Sequence, residues 1–187
     1  MDRDHNPNDY VCVFGSASNN IDPKYKAAVH ELGEKLAEAG FSLIFGGGDE
    51  GLMGAVARGV RSKGGRVIGV TPQIIDAVQK RYDCDEFIAT ESISERIDIM
   101  EALSCAFIVV PGGIGTLDEL FYAMARNHVH ELNDPICVLN VDGFYDKLLE
   151  MLNDMHRGGF ITAPDYAHVA LFEDVDALVA KLAERRQ

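Results

Sequence analysis

Short apolar runs alternate with amphipathic stretches along almost the whole chain. The runs are YVCVFG (Tyr10–Gly15), FSLIFG (Phe41–Gly46), RVIGV (Arg66–Val70), EFIAT (Glu86–Thr90), AFIVV (Ala106–Val110), PICVLN (Pro135–Asn140) and HVALF (His168–Phe172). They are continuous in β-branched and aromatic residues rather than alternating, as in parallel strands covered on both faces. Between the first two runs, Asp22 suits an N-cap, Pro23 the first helical position and Gly40 a helix end. Tyr25, Ala28, Val29, Leu32, Leu36 and Ala39 recur there at helical spacing and form one apolar face. Further helices are predicted over Leu52–Ser62, Ser92–Ser104, Thr116–His130, Phe144–Met155 and Asp174–Arg185. This order predicts an α/β protein, a Rossmann-like, doubly wound, mostly parallel sheet flanked by helices, with right-handed crossovers. No repeat, low-complexity tract or linker interrupts it. A single domain over 1–187 is expected, with 1–9 as a flexible N-terminus.

The 187 residues suit one domain with a full core. Lys and Arg number 17 against 30 Asp and Glu, a formal charge of -13, which repels a polyanion and argues against nucleic acid as a partner. The start, MDRDHNPNDY, lacks the apolar centre of a signal peptide, and no apolar run is long enough to span a bilayer. A cytoplasmic protein with no membrane partner is expected. The four cysteines, Cys12, Cys84, Cys105 and Cys137, form no C-x-x-C pair. Cys12 and Cys137 sit inside apolar runs, so reduced thiols acting as small hydrophobes are expected rather than a zinc site. His128 and His130 are not on one helical face, and suit the charge at a helix C-terminus better than a metal.

Ligands of doubly wound sheets bind at the carboxyl ends of the strands. Glycines cluster there: Gly15-Ser16 after the first strand, Gly46-Gly47-Gly48 after the second, Gly112-Gly113-Ile114-Gly115 after the fifth. The three loops are therefore expected to form one site. GGGDEG (Gly46–Gly51) formally fits G-x-G-x-x-G, but the next strand ends IGVTP and offers no carboxylate for a ribose hydroxyl. PGGIGT is better placed, because glycine-rich backbone entering a helix can aim several N–H groups at a phosphate. Thr116 can add its hydroxyl.

Glu119 has two readings. Thr116-x-x-Glu119 fits a capping box, and local rules favour that role. The helical wheel opposes it, placing Leu117, Leu120, Phe121 and Met124 in the buried stripe and Glu119, Tyr122 and Arg126 off the core. A carboxylate there can address a sugar beside the bound phosphate. Upstream, Ser92 and Glu95 form a second possible capping box, and Arg96 is either a clamp for phosphate or ribose hydroxyl or else a solvated helix residue or an interface contact.

Together the segments VFGSAS, GGGDEGLMGAVA, VIGVTP, Glu95-Arg96, PGGIGTLDEL and VLNVDGFYDKLL resemble the Lonely Guy family, in family order from Val11 to Gly159. That family consists of phosphoribohydrolases, once called lysine decarboxylases. The resemblance implies a dimeric enzyme that cleaves the N-glycosidic bond of an adenine-type nucleoside 5′-monophosphate, AMP or a cytokinin riboside monophosphate. The products are free base and ribose 5-phosphate, with no cofactor or metal. It implies Arg96 and Glu119 as the catalytic pair and Gly113, Ile114, Gly115 and Thr116 as the phosphate loop. Gly15, Ser16, Gly47, Gly48, Met53 and Gly112 complete the expected substrate contacts. Two departures stand out. A lysine usually follows the arginine in plant members, where this chain has Ile97, and their tryptophan-containing segment is replaced by YAMARNHVHELNDPI. The alternative reading is a non-catalytic carrier of a nucleotide or of molybdenum cofactor, against which the retained Arg96 and Glu119 argue. No lysine stands in a setting that suggests a pyridoxal Schiff base.

Overall fold

The computed structural model describes residues 6, 9–76, 80–128 and 134–184. The expected N-terminal tail, apart from residues 6 and 9, and the helix ends expected at His130 and Arg185 lie outside the described residues.

All seven predicted strands form: β1 (Tyr10–Phe14), β2 (Ser42–Phe45), β3 (Val67–Pro72), β4 (Glu86–Thr90), β5 (Phe107–Val109), β6 (Ile136–Leu139) and β7 (Val169–Phe172). They make one sheet in the order β4-β3-β2-β1-β5-β6-β7, with every pairing parallel. The chain winds outward from β1 to β4, then returns to the other side of β1 with β5. Cys12 accordingly lies in register with Ile44 on one side and Phe107 on the other. The reversal opens a crevice beyond the ends of β1 and β5, where such sheets hold ligands.

The continuous apolar runs are explained by two cores. Val11, Val13, Leu43, Phe45, Ile108 and Val110 point to one face, while Cys12, Phe14, Ile44, Phe107 and Val109 point to the other. Alternate residues of each strand serve opposite layers, so every position must be apolar. Helices α1 (Pro23–Glu38), α2 (Gly51–Ser62) and, near the C-terminus, α8 (Val175–Ala183) cover the first face. Helices α4 (Ile93–Ala102), α5 (Ile114–His128) and α6 (Asp146–Arg157) cover the second. Two short helices, α3 (Gln73–Asp76) and α7 (Ala163–Ala167), have no counterpart in the expectations. The caps of α1 form as expected: Asp22 accepts from the Lys24 N–H at 3.0 Å, and Gly40 follows the helix with φ +82°. None of the four cysteines, all described, forms a disulfide, and Cys12 and Cys137 are buried. No helix among the described residues is long and apolar enough to cross a membrane.

Candidate active site

The loops after β1 and β5 are tied to each other. The Val110 N–H donates to the Phe14 carbonyl at 2.9 Å, and the Ser16 N–H to the Pro111 carbonyl at 3.1 Å. Tyr145, from the turn before α6, donates its hydroxyl to the Val110 carbonyl at 2.8 Å. Burial pushes that phenol's pKa well up, so it remains a donor.

The two glycine-rich helix starts are not equivalent. At α2, the Gly51 N–H donates to Asn19 Oδ1 at 3.0 Å and the Leu52 N–H to the Ser16 carbonyl at 2.8 Å. The protein itself therefore satisfies those donors. At α5 the first intrahelical bond runs from the Leu117 N–H to the Gly113 carbonyl. The N–H groups of Ile114, Gly115 and Thr116 precede it and have no acceptor within the helix. An anion accepted at this edge of the sheet belongs at α5.

Because α5 begins at Ile114, Thr116 is already inside its first turn and is not the N-cap. The capping box expected of Thr116 and Glu119 does not form. The expected buried stripe also needs correction. Phe121 is 37% exposed, whereas Thr116, Glu119, Leu120, Ala123 and Asn127 are buried. Their spacing describes one helical face, but three of the five are polar, so counting apolar residues misplaces it.

The carboxylate of Glu119 meets Arg96 instead, with Arg96 Nη2 2.9 Å from Glu119 Oε1. Their side chains are 15% and 11% exposed. Arg96 comes from the first turn of α4, whose cap is Ser92 accepting from the Glu95 N–H at 3.1 Å. Glu95 returns to the Glu91 N–H at 2.7 Å rather than to Ser92, so only half of the second expected capping box forms. The guanidinium passes over Gly46, where a Cβ would lie 2.7 Å from Nη2. Arg96 Nε is buried and has no hydrogen-bond partner among the described residues, which leaves a charged donor for a ligand. Burial raises the Glu119 pKa to about 7; the Arg96 charge and hydrogen bond oppose the rise, and the Asp118 charge adds to it.

A cavity of about 320 Å³ lies over this pair. Of the residues expected from the sequence, Arg96 and Glu119 line it together with Gly15, Ser16, Met53, Gly113, Gly115 and Thr116. Gly47, Gly48, Gly112 and Ile114 do not. Gly47 packs against Phe87 and Thr71, and Gly48 pairs with Arg81 in an isolated bridge. Gly112 makes room for Thr116, whose Oγ1 lies 2.1 Å from where a Cβ would stand, and Ile114 points outward, 84% exposed. The lining also includes Val13, Phe14, Ala17, Gly46, Thr71 and Pro72. Thr71 and Pro72 end β3, so the strand-end rule that selected the glycine loops also points to them. The Thr71 hydroxyl donates to the Gly46 carbonyl and braces the strip of backbone beneath Arg96.

These features define an α/β protein with an anion-type helix start and a buried arginine–carboxylate pair in one small-ligand cavity. The family profile described as "Possible lysine decarboxylase" matches residues 53–182. A cytokinin riboside 5′-monophosphate phosphoribohydrolase of Mycobacterium tuberculosis is 38% identical over 172 residues, 91% of each chain. One from Arabidopsis thaliana is 36% identical over 160 residues, 85% of this chain and 70% of that one. The chain belongs to this family, the Lonely Guy phosphoribohydrolases. Among solved structures, the molybdenum cofactor carrier protein of Chlamydomonas reinhardtii aligns with a TM-score of 0.72 at 23% identity, covering 94% of this chain and 96% of that one. The molybdenum cofactor binding protein of Rippkaea orientalis aligns at 0.73 and 20% identity, covering 95% and 97%. At such identities the likeness is one of fold.

Proposed function

We propose that this protein hydrolyses the N-glycosidic bond of adenine-type nucleoside 5′-monophosphates, AMP or a cytokinin riboside monophosphate, to free base and ribose 5-phosphate. The observation that carries the reading is the buried Arg96–Glu119 pair one helical turn beyond the first N–H groups of α5, which have no acceptor within the helix. One turn is about 5 Å along the axis. A phosphate held by those N–H groups and the Thr116 hydroxyl thus leaves the attached ribose beside the carboxylate. As the base departs with the bonding electron pair and takes up a proton from solvent, positive charge develops on the sugar, as in glycoside hydrolysis. Ionised Glu119 stabilises that charge and accepts a proton from the water attacking the sugar carbon. Arg96 holds ribose oxygens and keeps the carboxylate aimed. Binding energy from the non-reacting phosphate fixes the sugar in place.

The substrate-binding set is Gly15, Ser16, Met53, Gly113, Gly115 and Thr116, and we further propose a cytoplasmic homodimer. A carrier would leave the Arg96–Glu119 pair without a task, so the enzyme is the better reading. The test is incubation with AMP and isopentenyl-AMP and chromatographic detection of free base. Base release that is lost in Glu119→Gln, with nucleotide binding retained, supports the reading. Absence of base from both substrates, under conditions where the Mycobacterium tuberculosis relative releases it, sinks it.

A further inference from the structure

The bond between Arg96 and Glu119 joins α4 to α5 at one point. Further along the same two helices stands a second tie. Arg126, seven residues after Glu119 on α5, places Nη1 2.7 Å from Glu101 Oε2 on α4. The same guanidinium donates to Asp98 Oδ1, and the Tyr122 hydroxyl donates to that oxygen at 3.3 Å. The Arg126 guanidinium also lies 5.8 Å from the centre of the Tyr122 ring. Glu101 is 3% exposed, and a carboxylate so deeply buried persists only when a cation accompanies it. Asp98 and Glu101 are three residues apart and present adjacent oxygens on one face of α4. One rigid planar cation spanning both fixes how far α4 can slide or roll against α5.

Asp98 follows Arg96 by two residues, so any slide of α4 at this tie is passed to Arg96. The α5 side of the tie, Tyr122 and Arg126, belongs to YAMARNHVHELNDPI, the segment in which this chain departs from the family's tryptophan-containing pattern. We propose that Arg126, bridging Asp98 and Glu101, is a positioning residue that holds α4 and α5 at the spacing at which Arg96 meets Glu119. The proposal rests on the hydrolase reading only for its effect on rate.

The cleanest probe is the double variant Glu101→Met/Arg126→Met, which removes the tie without changing net charge or leaving a buried ion unpaired. Two readouts are taken: kcat and KM for AMP, and the NMR titration of Glu119 in protein labelled with 13C at glutamate carboxyls, assigned with Glu119→Gln. The charged and titratable groups facing Glu119 are Arg96 from α4, Asp118 on its own helix and Cys12 on β1. A slackened Arg96 bond therefore raises the Glu119 midpoint. The expected result is kcat lowered about 10- to 100-fold with KM within about threefold, and a Glu119 midpoint above that of the wild type. Arg126→Lys falls between the two. A folded double variant with the wild-type midpoint overturns the proposal. The single variants Glu101→Met and Arg126→Met change charge in opposite directions. Positioning raises the midpoint in both, whereas shifts of opposite sign mean a simple field effect and overturn it. Wild-type protein that releases no base refutes the hydrolase reading and leaves the titration to decide the tie.

Discussion

Replacing Glu119 by glutamine makes one titration visible in two independent measurements. In the folded protein burial lifts this carboxyl from an ordinary 4.5 to about 7. A pKa raised on folding means that the folded state prefers the protonated form. Its contribution to stability is therefore complete below about 4.5 and is lost as pH rises through 7. Linkage between those two values gives a loss of about 2–3 kcal/mol between pH 5 and pH 8. The glutamine variant has nothing to titrate at this position, and any fixed effect of leaving Arg96 without its anion is the same at both pH values. The unfolding free energy of the wild type, minus that of Glu119→Gln, should thus fall by about 2–3 kcal/mol from pH 5 to pH 8 in urea titrations. The wild-type kcat/KM should rise with pH along the same titration, with its midpoint at about 7 and a plateau about one unit higher, because it reports the free enzyme. The substrate phosphate titrates near about pH 6 and can only steepen the profile below that value. A stability difference that stays constant with pH would refute the burial argument. A stability difference that follows pH, beside a flat rate profile, would refute the catalytic assignment instead.

Three further outcomes follow from the contacts. Gly46→Ala puts a methyl 2.7 Å from Arg96 Nη2, and since the flexible guanidinium must yield, kcat/KM for AMP should fall about 10- to 100-fold while the urea midpoint changes little. Thr116→Val removes a hydroxyl from the phosphate end of the cavity; it should raise KM for AMP and narrow its preference over adenosine, measured by base release from each. Tyr145→Phe deletes the hydrogen bond to the Val110 carbonyl and should destabilise the protein by about 1–2 kcal/mol in urea unfolding.

The sheet was legible because its physics is one-sided. Strands covered on both faces must be apolar throughout, and seven such runs separated by helical patterns leave few architectures to consider. The strand order needed the folded chain, since nothing in YVCVF or FIV specifies which neighbour each takes. The short helices escaped for a local reason. Gln73–Asp76 and Ala163–Ala167 span four and five residues, too few to repeat an apolar period. The second has a full Thr162–Asp165 capping box and a proline in its first turn, so its start carries the available signals.

The site was legible in its parts and misjudged in its orientation. Apolar counting turned α5 so that Glu119 faced away from the core, and a local motif offered it a cap. The first error arises because polar residues at a functional site occupy positions where general rules expect apolar ones, and the second because α5 begins two residues before Thr116. Thr116, Glu119 and Asn127 are buried on the face of α5 that also carries Leu120 and Ala123. For Glu119 that burial carries its own compensation, a guanidinium from another helix over a glycine that lets it pass. The two departures from the family pattern also acquire different weights. Ile97 is 2% exposed, so its side chain belongs to the buried interior of α4. The replaced segment supplies Arg126 and with it a tie between the helices that carry the pair. Of the two, the change at Arg126 is the one whose contacts with another helix are defined, to Asp98 and Glu101 on α4. A substitution at Arg126 should accordingly be read in the titration of Glu119 before it is read in the rate.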